Sequence, residues 1–356
     1  MGIISRTRLV VLAFALALPV AYAASSIGAV TEALKRPAVE VKQPRRAVLI
    51  GAAQAGKRLV VVGERGLVLL SDDDGENWLQ SSTPVSVTLT GVRFADANNG
   101  VAIGHAGVVM VTRDAGKTWS LTLDGRRAAE LAVEAATALP DENEDKAALL
   151  ADAERLVADG PDKPFLDVLV DGQRVIVVGA YGLAFVSEDA GKTWASWMTK
   201  LDNPRGMYLY AIRKRGDTLL LAGEQGLLLR SDDNGATFRS LESPYVGSWF
   251  TAEFAGDRDI VLAGLRGNVW RSVDDGTNWT QVEGANGASL ASSTTLPDGG
   301  LLFGSQAGQL LKLDAGRLVT LNPQPLPPIN GVHATPKGVI ALTVQGVVPV
   351  GNGDAN

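Results

Sequence analysis

The sequence predicts an all-β fold, a seven-bladed β-propeller, and three observations predict it. The first is an internal repeat: GERGLVLLSDDDGENW (63–78), GHAGVVMVTRDAGKTW (104–119), GAYGLAFVSEDAGKTW (179–194), GEQGLLLRSDDNGATF (223–238) and GLRGNVWRSVDDGTNW (264–279) align without a gap. A sixth copy keeps Gly304, Asp314 and Gly316 but loses the aromatic residue, and a seventh, Thr343 to Val350, keeps only Gly346 and the strand after it. The second is the spacing of the starts, 41, 75, 44, 41, 40 and 39 residues. A period near 40 residues, with Val/Leu/Ile runs between turns, is that of four short strands per unit. The third is the presence of 40 glycines in 356 residues, which favours many tight turns and excludes an all-helical bundle.

The elements follow in chain order. Arg6 and Arg8, the apolar run Leu9 to Val20 and the small-x-small site Ala21-Tyr22-Ala23 predict a signal peptide over 1–23, since the run is too short to span a bilayer. Cleavage there leaves 31 basic and 39 acidic residues, an acidic exported protein expected in the periplasm without a membrane span. The propeller occupies 24–350 and a polar tail 351–356. Unit two shows the strand pattern well, with Val87 to Phe94, Val101 to Gly104, Val108 to Thr112 and Trp119 to Leu123 each bounded by turn residues. The last unit runs out after its third strand, and Ala38 to Lys42 is the expected fourth, pairing the two ends of the chain and covering an open edge.

The one long step holds an insertion, 124–160, between blades two and three. Its Ala/Glu/Leu-rich stretches Ala128 to Leu139 and Asp145 to Ala158 predict a helical hairpin. Ten acidic and four basic residues give it a net charge of −6, consistent either with a docking element or with a solvated excursion.

Several chemistries are excluded. There is no cysteine, hence no disulfide and no thiolate chemistry, and two distant histidines without a cysteine do not build a transition-metal site. The whole-chain charge of −6 argues against nucleic acid. Gly51 to Arg58 nearly matches a phosphate-binding loop, but Arg58 has no hydroxyl and a strand follows where a helix is required, so a hairpin turn is expected. No cofactor is predicted.

The shared phrase [ST]-x-D-x-G-x-[TN]-[WF] is the Asp-box, or bacterial neuraminidase repeat. Its parts are structural: Asp73, Asp114, Asp189, Asp233 and Asp274 accept bonds from turn N–H groups, and Gly75, Gly116, Gly191, Gly235 and Gly276 supply a positive φ. Trp78, Trp119, Trp194, Phe238 and Trp279 pack against the blade. The box marks a fold and hardly constrains chemistry. In each unit the G-x-x-G turn joins the second and third strands, on the rim that also carries the links between blades, opposite the boxes. Its variable residues and those links make a candidate partner-binding rim: Arg65, His105, Tyr181, Arg205, Tyr208, Glu224, Trp249 and Arg266.

Over nearly the whole mature chain the repeat resembles the photosystem II stability and assembly factor family and its relatives in non-photosynthetic bacteria. GVRFAD-NNG (91–100) resembles that family's blade starts. The resemblance implies a non-enzymatic assembly factor docking on a membrane or envelope protein, partly through arginines on one face, here Arg65, Arg205 and Arg266; an accessory subunit of an envelope transporter is a related expectation. The insertion departs from the pattern. The alternatives are a sialidase-like glycosidase, with Glu64, Glu224, Tyr181 and Tyr208 as candidates, and a carbohydrate-binding propeller.

Overall fold

The computed structural model describes residue 28 and residues 30–351. The signal peptide and its cleavage site lie outside the described residues, as does nearly all of the polar tail. Seven antiparallel sheets follow one another in chain order, six of four strands and a last one of three. The blades span 49–81, 89–123, 165–196, 209–240, 249–281, 290–320 and 329–351. In blade two the strands are Leu89–Phe94, Gly100–Gly104, Val109–Thr112 and Ser120–Leu123.

The second strand of each blade is buried on both faces, which is why it reads as an unbroken apolar run, as in Arg58–Gly63 and Thr218–Gly223. The near-match to a phosphate loop is a hairpin turn, with Leu49–Ala55 paired to Arg58–Gly63.

The core lies between neighbouring blades, and the Asp-box aromatics sit in those seams. Trp119 of blade two packs with Val60, Val62 and Leu70 of blade one. Trp78 of blade one packs with Ile340 and Leu342 of blade seven, which closes the ring hydrophobically. In every complete box the turn hydroxyl and the carboxylate interlock. Ser187 Oγ donates to Asp189 Oδ1 at 2.8 Å and accepts the Gly191 N–H at 2.8 Å, and the Thr193 N–H donates to the same carboxylate. The box glycines have φ between 81° and 93°.

Closure differs from the expectation. Residues 38–42 form no strand on blade seven but run beside the outer strand of blade one. The Ala38 N–H donates to Thr83 O, and the Gln80 side chain bonds both Val41 N–H and Val39 O. The reason is the 3-10 turn Pro44–Arg46, which lies over the third strand of blade seven so closely that a Cβ on Gly346 would stand 1.8 Å from Arg45 O. This turn crosses the seam and sends the preceding chain along blade one. Inner strands complete the ring, with Asn330 Nδ2 donating to Leu49 O at 3.1 Å.

The insertion lies between blades two and three as two helices, α1 (Gly125–Thr137) and α2 (Lys146–Asp159). Asp124 caps α1 by accepting the Arg126 and Arg127 N–H groups. Ala128, Ala129, Leu131 and Ala132, with Leu156 of α2, join the core shared by blades two and three. The hairpin therefore packs one face on the propeller. Its entry is tight: a Cβ on Gly107 would lie 2.5 Å from Gly125 Cα.

Candidate functional site

The G-x-x-G turns place one non-glycine residue each in the left-handed region: Arg65 (φ 54°), Ala106 (59°), Tyr181 (56°), Gln225 (51°) and Arg266 (56°). The backbone is fixed from two sides. Gly63 N–H bonds Leu67 O across the turn, and Glu64 N–H bonds Val48 O in the preceding link, a pair repeated at Gly223 and Glu224. Turn and link thus share one rim.

On that rim Arg65, His105, Tyr181, Arg205 and Arg266 are exposed, and Tyr208 and Glu224 are half-buried. Among the described residues, no carboxylate stands within ion-pair distance of Arg65, Arg205 or Arg266. Arg205 donates only to Gln225 Oε1, at 3.2 Å. One reading is corrected by position. Trp249 is fully buried in blade five, its Nε1 donating to Ser243 Oγ, so it presents nothing to a partner. Glu224 accepts the Tyr208 N–H, as Glu64 accepts the Val48 N–H; both carboxylates brace the links.

Between the insertion and this rim lies a groove of about 220 Å³. Its lining is mixed: Ala132, Leu149, Leu156, Met198 and Leu201 stand there with Asp152, Arg155, Asp159, Asn203 and Arg205, and Tyr181 belongs to it. From Tyr181 an aromatic series crosses toward the ring axis. Its centroid distances are 5.2 Å to Tyr208, 6.1 Å on to Tyr210 and 5.1 Å on to Phe250. Burial, then the neighbouring Tyr181 hydroxyl, pushes the Tyr208 phenol up to about 12.

Tyr210 and Phe250 line an axial cavity of about 490 Å³ to which the inner strands of all seven blades contribute, within the size range of ligand sites. In its wall Arg213 donates to Asp167 at 2.5 Å and to Glu253 at 3.1 Å. Burial disfavours the Arg213 charge, but Glu253 and Asp167 outweigh it and raise the guanidinium pKa. Arg93 stands 3.6 Å from Asp167, and Ser293 Oγ donates to Glu253. His333 Nε2 is buried without a partner. Burial, then the nearby Arg93 charge, pulls that imidazole down to about 4. The sequence reading missed this network, although one signal was available: each member is a titratable residue in the inner strand of its blade.

Among the described residues no cluster of three or more His, Asp or Glu side chains is arranged to hold a metal ion, and no helix is long and apolar enough to cross a membrane.

Residues 157–313 match the family model described as Photosynthesis system II assembly factor YCF48. No curated protein matches the chain. Among solved structures, YCF48 bound to a D1 peptide is similar at 12% identity and TM-score 0.61, over 88% of this chain and 97% of that one. YCF48 from Cyanidioschyzon merolae is similar at 16% identity and TM-score 0.61, over 85% and 95%. A GH74 enzyme of Niastella koreensis is similar at 15% identity and TM-score 0.56, over 88% of this chain and 44% of that one. At these identities the structures share a fold. The repeat, the family match and the seven blades make the chain an Asp-box β-propeller that resembles the photosystem II assembly factors.

Proposed function

We propose that this chain is an exported, periplasmic, non-enzymatic propeller that binds a membrane or envelope protein through its G-x-x-G rim, as an assembly factor or as an accessory subunit of a transporter. The observation that carries the reading is the state of the rim: Arg65, Arg205 and Arg266 stand exposed and without a carboxylate on turns fixed by backbone hydrogen bonds. Cations held on a rigid frame at a surface recognise a partner's charge and speed its arrival. A propeller of similar fold holding a D1 peptide supports the idea that such a ring takes a segment of another protein.

The enzyme reading has less support. The carboxylates facing the axis, Asp167 and Glu253, are both held by Arg213, and Glu64 and Glu224 hold backbone N–H groups. A glycosidase needs a pair of carboxyls open to the scissile bond.

The test is capture from solubilised membranes by wild-type protein and by the triple variant Arg65→Glu, Arg205→Glu, Arg266→Glu. Loss of the captured partner with an unchanged melting curve is expected. Equal capture by both proteins removes the arginine rim from the reading, and hydrolysis of a glycan by the wild type replaces it with an enzyme.

A further inference from the structure

Six blades carry a fourth, outer strand, and among the described residues blade seven does not. Its third strand, Gly346–Gly351, is six residues long and pairs along its whole length with Gly338–Thr343, so one side of it is satisfied. Register tells which groups are left over. In blades three to six the first residue of the third strand, Ala184, Leu228, Val269 or Leu310, accepts through its carbonyl an outer-strand N–H at 2.8–3.0 Å. Val347 holds the same place: it pairs with Leu342, the residue before Thr343, as Leu228 pairs with Ala222, the residue before Gly223. Outward groups alternate along a strand, so Val347, Pro349 and Gly351 present their backbone away from the blade. Among the described residues nothing bonds those outward groups.

Three features select what fills the place. Amide groups repeating outward every two residues, about 6.5–7 Å apart, are matched by the backbone of an extended polypeptide and by no glycan or lipid. The outer-strand residue facing the first position of the third strand is Ser81, Leu123, Trp197, Leu241, Val282 and Leu321 in turn. All six are buried or half-buried and five are large and apolar, so the occupant of blade seven puts an apolar residue opposite Val347. The third feature is charge. Residues 35–46 carry Lys35, Arg36, Lys42, Arg45 and Arg46 against Glu40, in a protein of net charge −6, and all six side chains are exposed. Arg45 and Arg46 lie in the 3-10 turn over Gly346, at one end of the open edge. Among the described residues neither has a carboxylate within ion-pair distance, and the Arg45 side chain donates only to Glu76 O. Outer strands run antiparallel to third strands, so the occupant reaches this turn just after its apolar residue.

We infer that the open edge of blade seven takes, as its outer strand, an extended segment of a partner polypeptide in which a large apolar residue is followed by acidic ones. A second copy of this chain is a poor occupant. In the longest two-fold pairing of two such edges Val347 faces Gly351 and Pro349 faces Pro349, so both central bonds are lost, whereas an ordinary residue opposite Pro349 loses one. Arg65, Arg205 and Arg266 take no part, so strand capture at this edge goes beyond the rim reading.

The test uses the full chain and the capped peptide Thr-Val-Thr-Ser-Leu-Asp-Glu-Asp. Comparators replace the Leu by Ala, the three acids by Lys, or the Leu by N-methyl-Leu, which has no N–H to give the ladder. Calorimetry reads affinity, and hydrogen exchange followed by NMR reads the Val347 N–H. The parent peptide is expected to bind at least tenfold more tightly than each comparator and to protect that N–H, which exchanges fast in the free chain. The double variant Arg45→Glu, Arg46→Glu is expected to reverse the preference between the acidic and the Lys peptide. Equal affinity for the N-methyl peptide, protection elsewhere with Val347 unchanged, or no binding by any peptide overturns the strand pairing. An unchanged charge preference in the double variant overturns the assigned occupant. So does a Val347 N–H already protected in the free monomer or in a dimer, which gives the edge to the chain's own residues or to a second copy.

Discussion

Each of the first five blades carries two tight turns that put a non-glycine residue in the left-handed region, and the two teach opposite lessons. On the Asp-box face these residues are Asp74, Ala115, Ala190, Asn234 and Asp275; on the other they are Arg65, Ala106, Tyr181, Gln225 and Arg266. The φ values run from 51° to 62° across both sets, so backbone strain is common to both and marks neither as functional. The surroundings separate them. In the box the hydroxyl, carboxylate and glycine N–H satisfy one another, and the same residues recur blade after blade. In the G-x-x-G turn the backbone is equally well bonded but the central side chain is arginine, alanine, tyrosine or glutamine in turn. A frame that repeats while its side chains change leaves those side chains free to serve a partner.

The strongest way to break this contrast is to remove a large side chain from each face. Trp119, 7% exposed and wedged between blades one and two, is expected on truncation to Ala to cost about 3–5 kcal/mol. Tyr181, 47% exposed, is expected to cost less than about 1 kcal/mol on the same change. Urea denaturation of the two variants checks this. Comparable losses would mean that the rim turn is as much a part of the core as the box, and the contrast fails.

How much of this was legible in the sequence follows from the same difference. The boxes were readable because hydrogen-bond satisfaction and seam packing demand the same residues in each copy: Asp114, Gly116 and Trp119 recur as Asp189, Gly191 and Trp194. The seven blades and the insertion followed from that period. Trp249 was misplaced because it stands at the first position of an inner strand, where the side chain turns into the blade rather than outward. The path of residues 38–42 was misjudged because an unpaired edge says nothing about which way a short 3-10 turn will send the chain. The axial network of Arg93, Asp167, Arg213 and Glu253 escaped because its members come from different blades; only the ring brings them together.

Acid separates the two kinds of polar site next. His333 has no partner and a pKa near 4, below its ordinary 6.5, so its neutral form is favoured by folding. The unfolded chain binds more protons between these values, and stability present above about pH 6.5 is lost as pH falls toward 4. The gap bounds the effect at roughly 3 kcal/mol. Asp73, Asp233 and Asp274 are held near 2 by hydrogen bonds within the box turns, from Asn77, Thr237 and Asn278 respectively. Their contribution is intact above about pH 4 and is lost as pH falls toward 2. Melting temperatures measured from pH 8 to 2 are expected to fall in two stages, and His333→Gln is expected to remove the first and leave the second. A single stage below pH 4 in the wild type would show that the axial histidine is solvated.

The smallest effect tests the premise that strain is shared. Ala190 in a box (φ 59°) and Gln225 on the rim (φ 51°) each hold a left-handed conformation that costs a residue with a Cβ roughly 1–2 kcal/mol. Glycine removes that cost but enlarges the conformational freedom of the unfolded chain, which returns about 0.4–1 kcal/mol. Ala190→Gly and Gln225→Gly are therefore each expected to stabilise by less than about 1 kcal/mol, and by the same amount within error, in paired urea titrations. A gain at Gln225 well above that at Ala190 would mean that the rim turn alone stores strain. The backbone of that turn, and not only its changing side chains, would then belong to the binding surface.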